Sequence, residues 1–119
     1  MADRPFLRSL RDAADGVGRT FREQRNFRIH IVIAALAVAV AAILRFSTWR
    51  WAVLALTIGG VLCAELMNTA VERALDASAS QQNDAARSAK HAAAAAVLVA
   101  SVAALAVGAW LYGGALAER

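Results

Sequence analysis

Three apolar runs constrain this chain more than any other feature. They occupy residues 29–44 (IHIVIAALAVAVAAIL), 51–71 (WAVLALTIGGVLCAELMNTAV) and 92–112 (AAAAAVLVASVAALAVGAWLY). Crossing the hydrocarbon core of a bilayer takes roughly 20 apolar helical residues. The second and third runs reach that length, and flanking residues extend the first to about residue 46. Hydrocarbon offers the backbone no hydrogen-bond partner, so each span must be helical. Trp49 and Trp51, and Trp110 and Tyr112, lie at span ends, where interfacial aromatics belong. Hydrophobic residues make up 60% of the chain, against about 45–50% in a soluble domain. At 119 residues the chain is one domain, 1–119, of the all-α integral membrane class.

Ahead of the spans lies a basic segment. Seven of the 13 Lys and Arg residues are Arg4, Arg8, Arg11, Arg19, Arg22, Arg25 and Arg28. Pro5 suits a helix start. Phe6, Leu10, Ala13, Ala14, Val17 and Phe21 recur at helical spacing between the arginines, predicting an amphipathic helix over about residues 5–25. Gly16 and Gly18 weaken it. Such a helix suits a membrane surface rich in anionic head groups. The apolar remainder of the chain argues against nucleic acid as the partner. No cleavable signal peptide is apparent, and the first apolar run reads as a retained span. With three spans, the N-terminal segment and the polar stretch of residues 73–90 share one side, with ten basic residues. Arg45, Arg50 and Arg119 lie on the other. The imbalance predicts a cytoplasmic N-terminus. Cys63 is alone, which excludes an intrachain disulfide, and reads as a buried small side chain.

The second run carries the chemistry. Its end reads CAELMNTAVERALD, residues 63–76. A charged side chain at membrane depth costs about 2.5 kcal/mol or more on insertion scales. Glu65, Asn68, Glu72 and Asp76 stand at i, i+3, i+7 and i+11, one stripe of a helix. Three acids and an amide then run from inside the membrane to its cytoplasmic boundary. Like charges so placed need a cation or a proton between them. Mg²⁺, which takes oxygen ligands and is often shared with nucleotide phosphates, fits that need. The deeper Glu65 suits a general base that reaches a lipid hydroxyl. Glu72 and Asp76 would meet a water-soluble cosubstrate.

The stretch Glu65-Leu66-Met67-Asn68-Thr69-Ala70-Val71-Glu72, followed by Asp76, resembles the E-x-x-N-[ST]-A-[VI]-E signature of the prokaryotic diacylglycerol kinase family. RNFRIH, residues 25–30, looks like the family's entry into its first span. SAKHAAAAAVLVA, residues 88–100, looks like the start of its third. The resemblance covers nearly the whole chain, in order. It implies a homotrimer of three-span subunits, each with a surface helix, in the bacterial inner membrane. It implies transfer of the ATP γ-phosphoryl group to a lipid alcohol with Mg²⁺. By resemblance Glu65 is the base and Glu72 a metal ligand. Asn68 and Asp76 support the site, and Lys90 meets the phosphates. RNFRIH looks more like the undecaprenol kinase branch than the diacylglycerol-specific one.

Three positions depart from the family pattern. Gln24 stands where the family has a metal-binding Glu, with Glu23 adjacent as its stand-in. His91 stands where the family has Asp, able to donate to a phosphate if protonated. Asn83 stands where a His is usual. These departures motivate a competing reading, a non-catalytic membrane scaffold. A third, a channel using the acidic stripe, leaves Lys90 without a purpose. No Walker A loop or protein-kinase motif is present, so phosphate binding falls to metal, Lys90 and arginines such as Arg87. His30 reads as an interfacial or packing residue, and Met67 as a packing residue off the stripe.

Overall fold

The computed structural model describes residues 5–78 and 83–119. They form four helices: α1 (Phe6–Glu23), α2 (Arg25–Ile43), α3 (Thr48–Asp76) and α4 (Asp84–Ala117), with no strand among the described residues. The last three are long and apolar enough to cross a membrane.

The helices overrun the apolar runs. α3 has 29 residues and α4 has 34. At 1.5 Å per residue these are about 44 and 51 Å long, against a hydrocarbon core of about 30 Å. Most of the polar stretch at 73–90, expected as a loop, is therefore helix. Charge opposes insertion into hydrocarbon but not helix formation, so hydropathy marks the membrane boundary rather than the helix end. α2 likewise starts at Arg25, ahead of the apolar run. Gly16 and Gly18 leave α1 unbroken.

One extended residue separates α1 from α2. Gln24 has φ −112° and ψ 111°; its N–H donates to Thr20 O and its carbonyl accepts from Arg28 N. Arg28 then reaches back. Its Nη1 donates to Phe21 O at 3.0 Å and Arg22 O at 2.9 Å, satisfying carbonyls that the end of α1 leaves open. Thr20, 2% exposed, donates its hydroxyl to Gly16 O and faces inward, as does Phe27 at 1%. Phe6, Leu7, Leu10, Val17 and Phe21 of α1 face outward.

At the other end, α2 closes with Phe46 N donating to Ala41 O and Arg45 N to Ala42 O. That is the Schellman pairing, and it puts Arg45 at φ 54°, where glycine is usual. Phe46 packs at 4.9 Å from Tyr112 and 6.0 Å from Trp51 between ring centroids. Around it lie Ala41, Leu54, Leu111 and Ala115, the core of the molecule. Arg50 clasps Glu118 through two hydrogen bonds of 2.9 and 3.0 Å and lies 4.7 Å from the centroid of the Trp49 ring. Gly114 leaves room for it: a Cβ there would lie 3.0 Å from Arg50 Nη2. The bonds from Arg50 hold the Glu118 carboxyl below the usual carboxylate range. Arg119 donates to Ile43 O. α3 and α4 form the main pair, with α2 against α3 and α1 across the far end.

Two expectations about burial are corrected. Cys63 is exposed, and Met67 is 61% exposed. Both lie off the face of α3 that buries Leu54, Val61, Glu65 and Thr69. In a span, apolar side chains gain nothing by leaving lipid, so hydrophobicity does not choose the inward face.

Candidate functional site

The C-terminal half of α3 carries the acidic stripe; α2 and α4 each supply it a basic partner, and α1 supplies a carboxylate beside it. At 1.5 Å per residue, Glu65 and Asp76 are about 16 Å apart along the axis. Glu65 is deepest, 4% exposed. Its Oε1 lies 3.1 Å from Nε2 of His30 on α2. The expectation of an interfacial His30 gives way to a direct contact with the candidate base. Burial of a carboxylate demands such a partner.

One turn up, Asn68 Nδ2 donates to Glu72 Oε1 at 3.3 Å. Asn68 Oδ1 is buried without a hydrogen-bond partner. A buried carbonyl oxygen left open beside a carboxylate is an uncommon arrangement, because each such group costs about 1–3 kcal/mol. Both atoms are hard oxygen donors and suit Mg²⁺. Among the described residues no three His, Cys, Asp or Glu side chains converge on one point. A metal on Glu72 and Asn68 would therefore take its remaining ligands from phosphate and water, the usual habit of Mg²⁺.

At the surface end, Asp76 Oδ1 accepts from Lys90 Nζ at 2.6 Å, tying α3 to α4. Arg73 donates to Glu23 at 2.6 Å, tying α3 to α1. Arg19 donates to the other Glu23 oxygen at 3.0 Å. Chiefly through the Arg19 bond, and through the charge of Arg73, the Glu23 carboxyl is held below its ordinary range. Glu23, expected as a metal ligand, is thus engaged at both oxygens by arginines.

The remaining candidates stand apart. Arg87 pairs at 3.4 Å with Asp84 on its own helix, and both are well exposed. His91 is exposed. Asn83 caps α4, its side-chain oxygen accepting from Ala86 N at 2.7 Å.

Below the stripe, between α2, α3 and α4, lies a cavity of about 410 Å³. His30 stands at the end nearest the stripe, and Ile33, Leu54, Val61, Leu105 and Tyr112 line it. Its walls are almost wholly apolar, within the membrane-spanning portions of the helices.

Sequence reasoning missed His30, Arg73 and Arg19. For His30 the count along the runs gives no signal: it stands one residue inside the first apolar run and Glu65 six inside the second, and only the packing of α2 on α3 brings them together.

The sequence profile described as prokaryotic diacylglycerol kinase matches residues 11–112. A Synechocystis protein named diacylglycerol kinase is 42% identical over 104 residues, covering 87% of this chain. The chain spans 59% of that relative's length. A Bacillus subtilis protein named undecaprenol kinase is 33% identical over 103 residues, covering 87% of this chain and 84% of the relative.

Proposed function

Because the chain belongs to the prokaryotic diacylglycerol kinase family, we propose that it transfers the γ-phosphoryl group of ATP to the primary hydroxyl of a membrane lipid alcohol. The observation that carries this reading is the depth of Glu65. A 4%-exposed carboxylate sits at the head of a stripe that continues to the surface on the same helix. A base at that depth serves an acceptor that stays in the membrane. The outer groups serve a donor that comes from water.

In this mechanism Glu65 takes the proton of the lipid hydroxyl as its oxygen attacks the γ-phosphorus. The bond to the β-phosphate bridging oxygen breaks, and ADP leaves. Glu72 and Asn68 Oδ1 would hold Mg²⁺, which when bound would neutralise phosphate charge. Glu23 is the further carboxylate that the family resemblance offers, but Arg19 and Arg73 engage it, so we assign it to holding α1. Asp76 presents Lys90 towards the phosphates. Arg87 and His91, near the start of α4, form an outer basic rim. The acceptor's chain lies along the apolar cavity below His30. We take undecaprenol and diacylglycerol as the two candidate acceptors, with RNFRIH favouring the first.

The working form we infer is a homotrimer in the bacterial inner membrane, N-terminus cytoplasmic, with α1 along the membrane surface. The apolar outward residues of α1 and the arginines opposite them support that placement.

The test uses purified protein in mixed micelles with labelled ATP and Mg²⁺, offered both lipids in parallel. Label should enter one lipid and disappear in Glu65→Gln, with kcat down about 10²–10⁴-fold. Wild-type turnover in Glu65→Gln would defeat the assignment of the base. No transfer to either lipid by folded protein would defeat both acceptors.

A further inference from the structure

We propose that His30 is a positioning residue for phosphoryl transfer: its Nε2–H donates to Oε1 of Glu65 and turns the second carboxylate oxygen to the lipid hydroxyl. The inference rests on the reading of Glu65 as the base. Three observations carry it. The contact is 3.1 Å, side chain to side chain, and it crosses from α2 to α3. Both partners are withdrawn from solvent, with side-chain exposures of 21% for His30 and 6% for Glu65. And His30 lines the apolar cavity in which the acceptor chain would lie, so the pair stands at the meeting of cavity and stripe.

The chemistry follows from the donor inventory. An ionised carboxylate carries no proton to give, so in a hydrogen bond between the two the imidazole nitrogen is the donor. One lone-pair site of Glu65 is then committed to His30. A carboxylate on a two-carbon stem otherwise turns about its last bond, a soft and broad rotation. Fixing one oxygen fixes the other, and a base held in one orientation avoids the cost of finding it at each turnover. His30 therefore acts through Glu65 and need not touch the lipid. When Glu65 takes the hydroxyl proton on its free oxygen, the bond from His30 remains, because a protonated carboxyl still accepts at its other oxygen. No proton passes through the imidazole, and the step balances as already written.

The prediction separates position from packing. In mixed micelles, His30→Ala should lower kcat by about 10–100-fold, the usual loss when a hydrogen-bonded orienting partner is removed. KM for Mg²⁺-ATP and for the lipid should stay near wild type, since ground-state binding is untouched. His30→Gln, whose amide N–H has a reach close to that of Nε2, should recover most of the lost kcat. In a Glu65→Gln background, His30→Ala should add no further loss, because the two act as one unit. An independent readout needs no variant. The chain has two histidines, so ring-nitrogen NMR of the labelled protein can find His30 directly. Its Nε2 should carry the proton at neutral pH.

Wild-type kcat in His30→Ala would overturn the proposal. So would a loss carried in KM, equal impairment of His30→Gln and His30→Ala, or a bare Nε2 in the spectrum. Should His30→Ala fail to assemble, His30→Gln and the spectrum still decide. The two readings fail distinguishably. An active Glu65→Gln defeats the base. An inactive Glu65→Gln beside a fully active His30→Ala defeats His30 alone.

Discussion

Asn68 shows how a site can be read from what a residue lacks. Its amide nitrogen reaches Glu72, yet its carbonyl oxygen is buried and open. In a nucleotide-free chain that oxygen costs about 1–3 kcal/mol. Asn68→Leu removes the cost at nearly the same volume, so the variant should gain about 1 kcal/mol of stability in detergent, read from its melting midpoint. The same change removes a proposed metal ligand. KM for Mg²⁺-ATP should then rise by about tenfold or more, equivalent to ~1.4 kcal/mol of binding. Glu72→Gln should show the same KM effect without the gain in stability, since Asn68 Oδ1 stays open. A variant that gained stability and kept its KM would mean that Asn68 is structural only. The stripe itself was legible in the sequence, because helical spacing alone aligns Glu65, Asn68, Glu72 and Asp76. Their partners were not. Which cation meets which carboxylate depends on how α1, α2 and α4 are set around α3, and periodicity within one helix says nothing of that.

At the scale of the elements, two junctions set the geometry, and each has its own test. The turn after α2 uses Arg45 in the left-handed region, a conformation costing about 1–2 kcal/mol for a residue with a Cβ. Glycine there is free of that cost but loses more entropy on folding. Arg45→Gly should on balance stabilise by about 0.5–1 kcal/mol without touching activity, since the turn lies at the end opposite the stripe. The second junction is the clasp of α1 on α3 through Glu23. Its carboxyl lies below the ordinary range when folded, so the clasp is fully present above that range. It is lost as pH falls through the lowered value. Amide exchange in α1 should therefore be unchanged from neutral pH down to about pH 5, after correction for intrinsic rates, and rise below the ordinary carboxylate value of about 4.3. In Glu23→Gln the faster exchange should already be present at neutral pH. Equal protection of α1 in wild type and Glu23→Gln would show that apolar packing around Thr20 and Phe27 suffices. The number and order of helices were readable from hydropathy and from the spacing in α1. Their ends were not, because charge stops a span without stopping a helix, and the true stops are a single extended residue at Gln24, the turn at Arg45 and the cap at Asn83.

For the whole molecule, the arrangement has one polar end and one aromatic end. The stripe with its two basic partners, His30 and Lys90, lies where α2 begins, α3 finishes and α4 begins. The Phe46, Trp51 and Tyr112 cluster and the Arg50–Glu118 clasp lie at the other. Kinase chemistry needs the first end to face ATP, so orientation in the membrane is a functional requirement. The arginines of α1 and those flanking the stripe argue for that sense, since basic residues are retained on the cytoplasmic side. Among them Arg87 belongs to the proposed basic rim, so that charge would both orient the chain and serve the donor. The test replaces the exposed Cys63 with Ala and introduces one cysteine at a time. Ser47→Cys lies at the aromatic end, and Asp84→Cys at the start of α4. In intact spheroplasts a membrane-impermeant maleimide should label Ser47→Cys at once. It should reach Asp84→Cys only after the membrane is opened. The reverse pattern would put the stripe outside the cell, away from ATP, and would end the kinase reading whatever the geometry of Glu65. Labelling of both sites in intact cells would mean that the three helices do not all span, and the depth assigned to Glu65 would go with them.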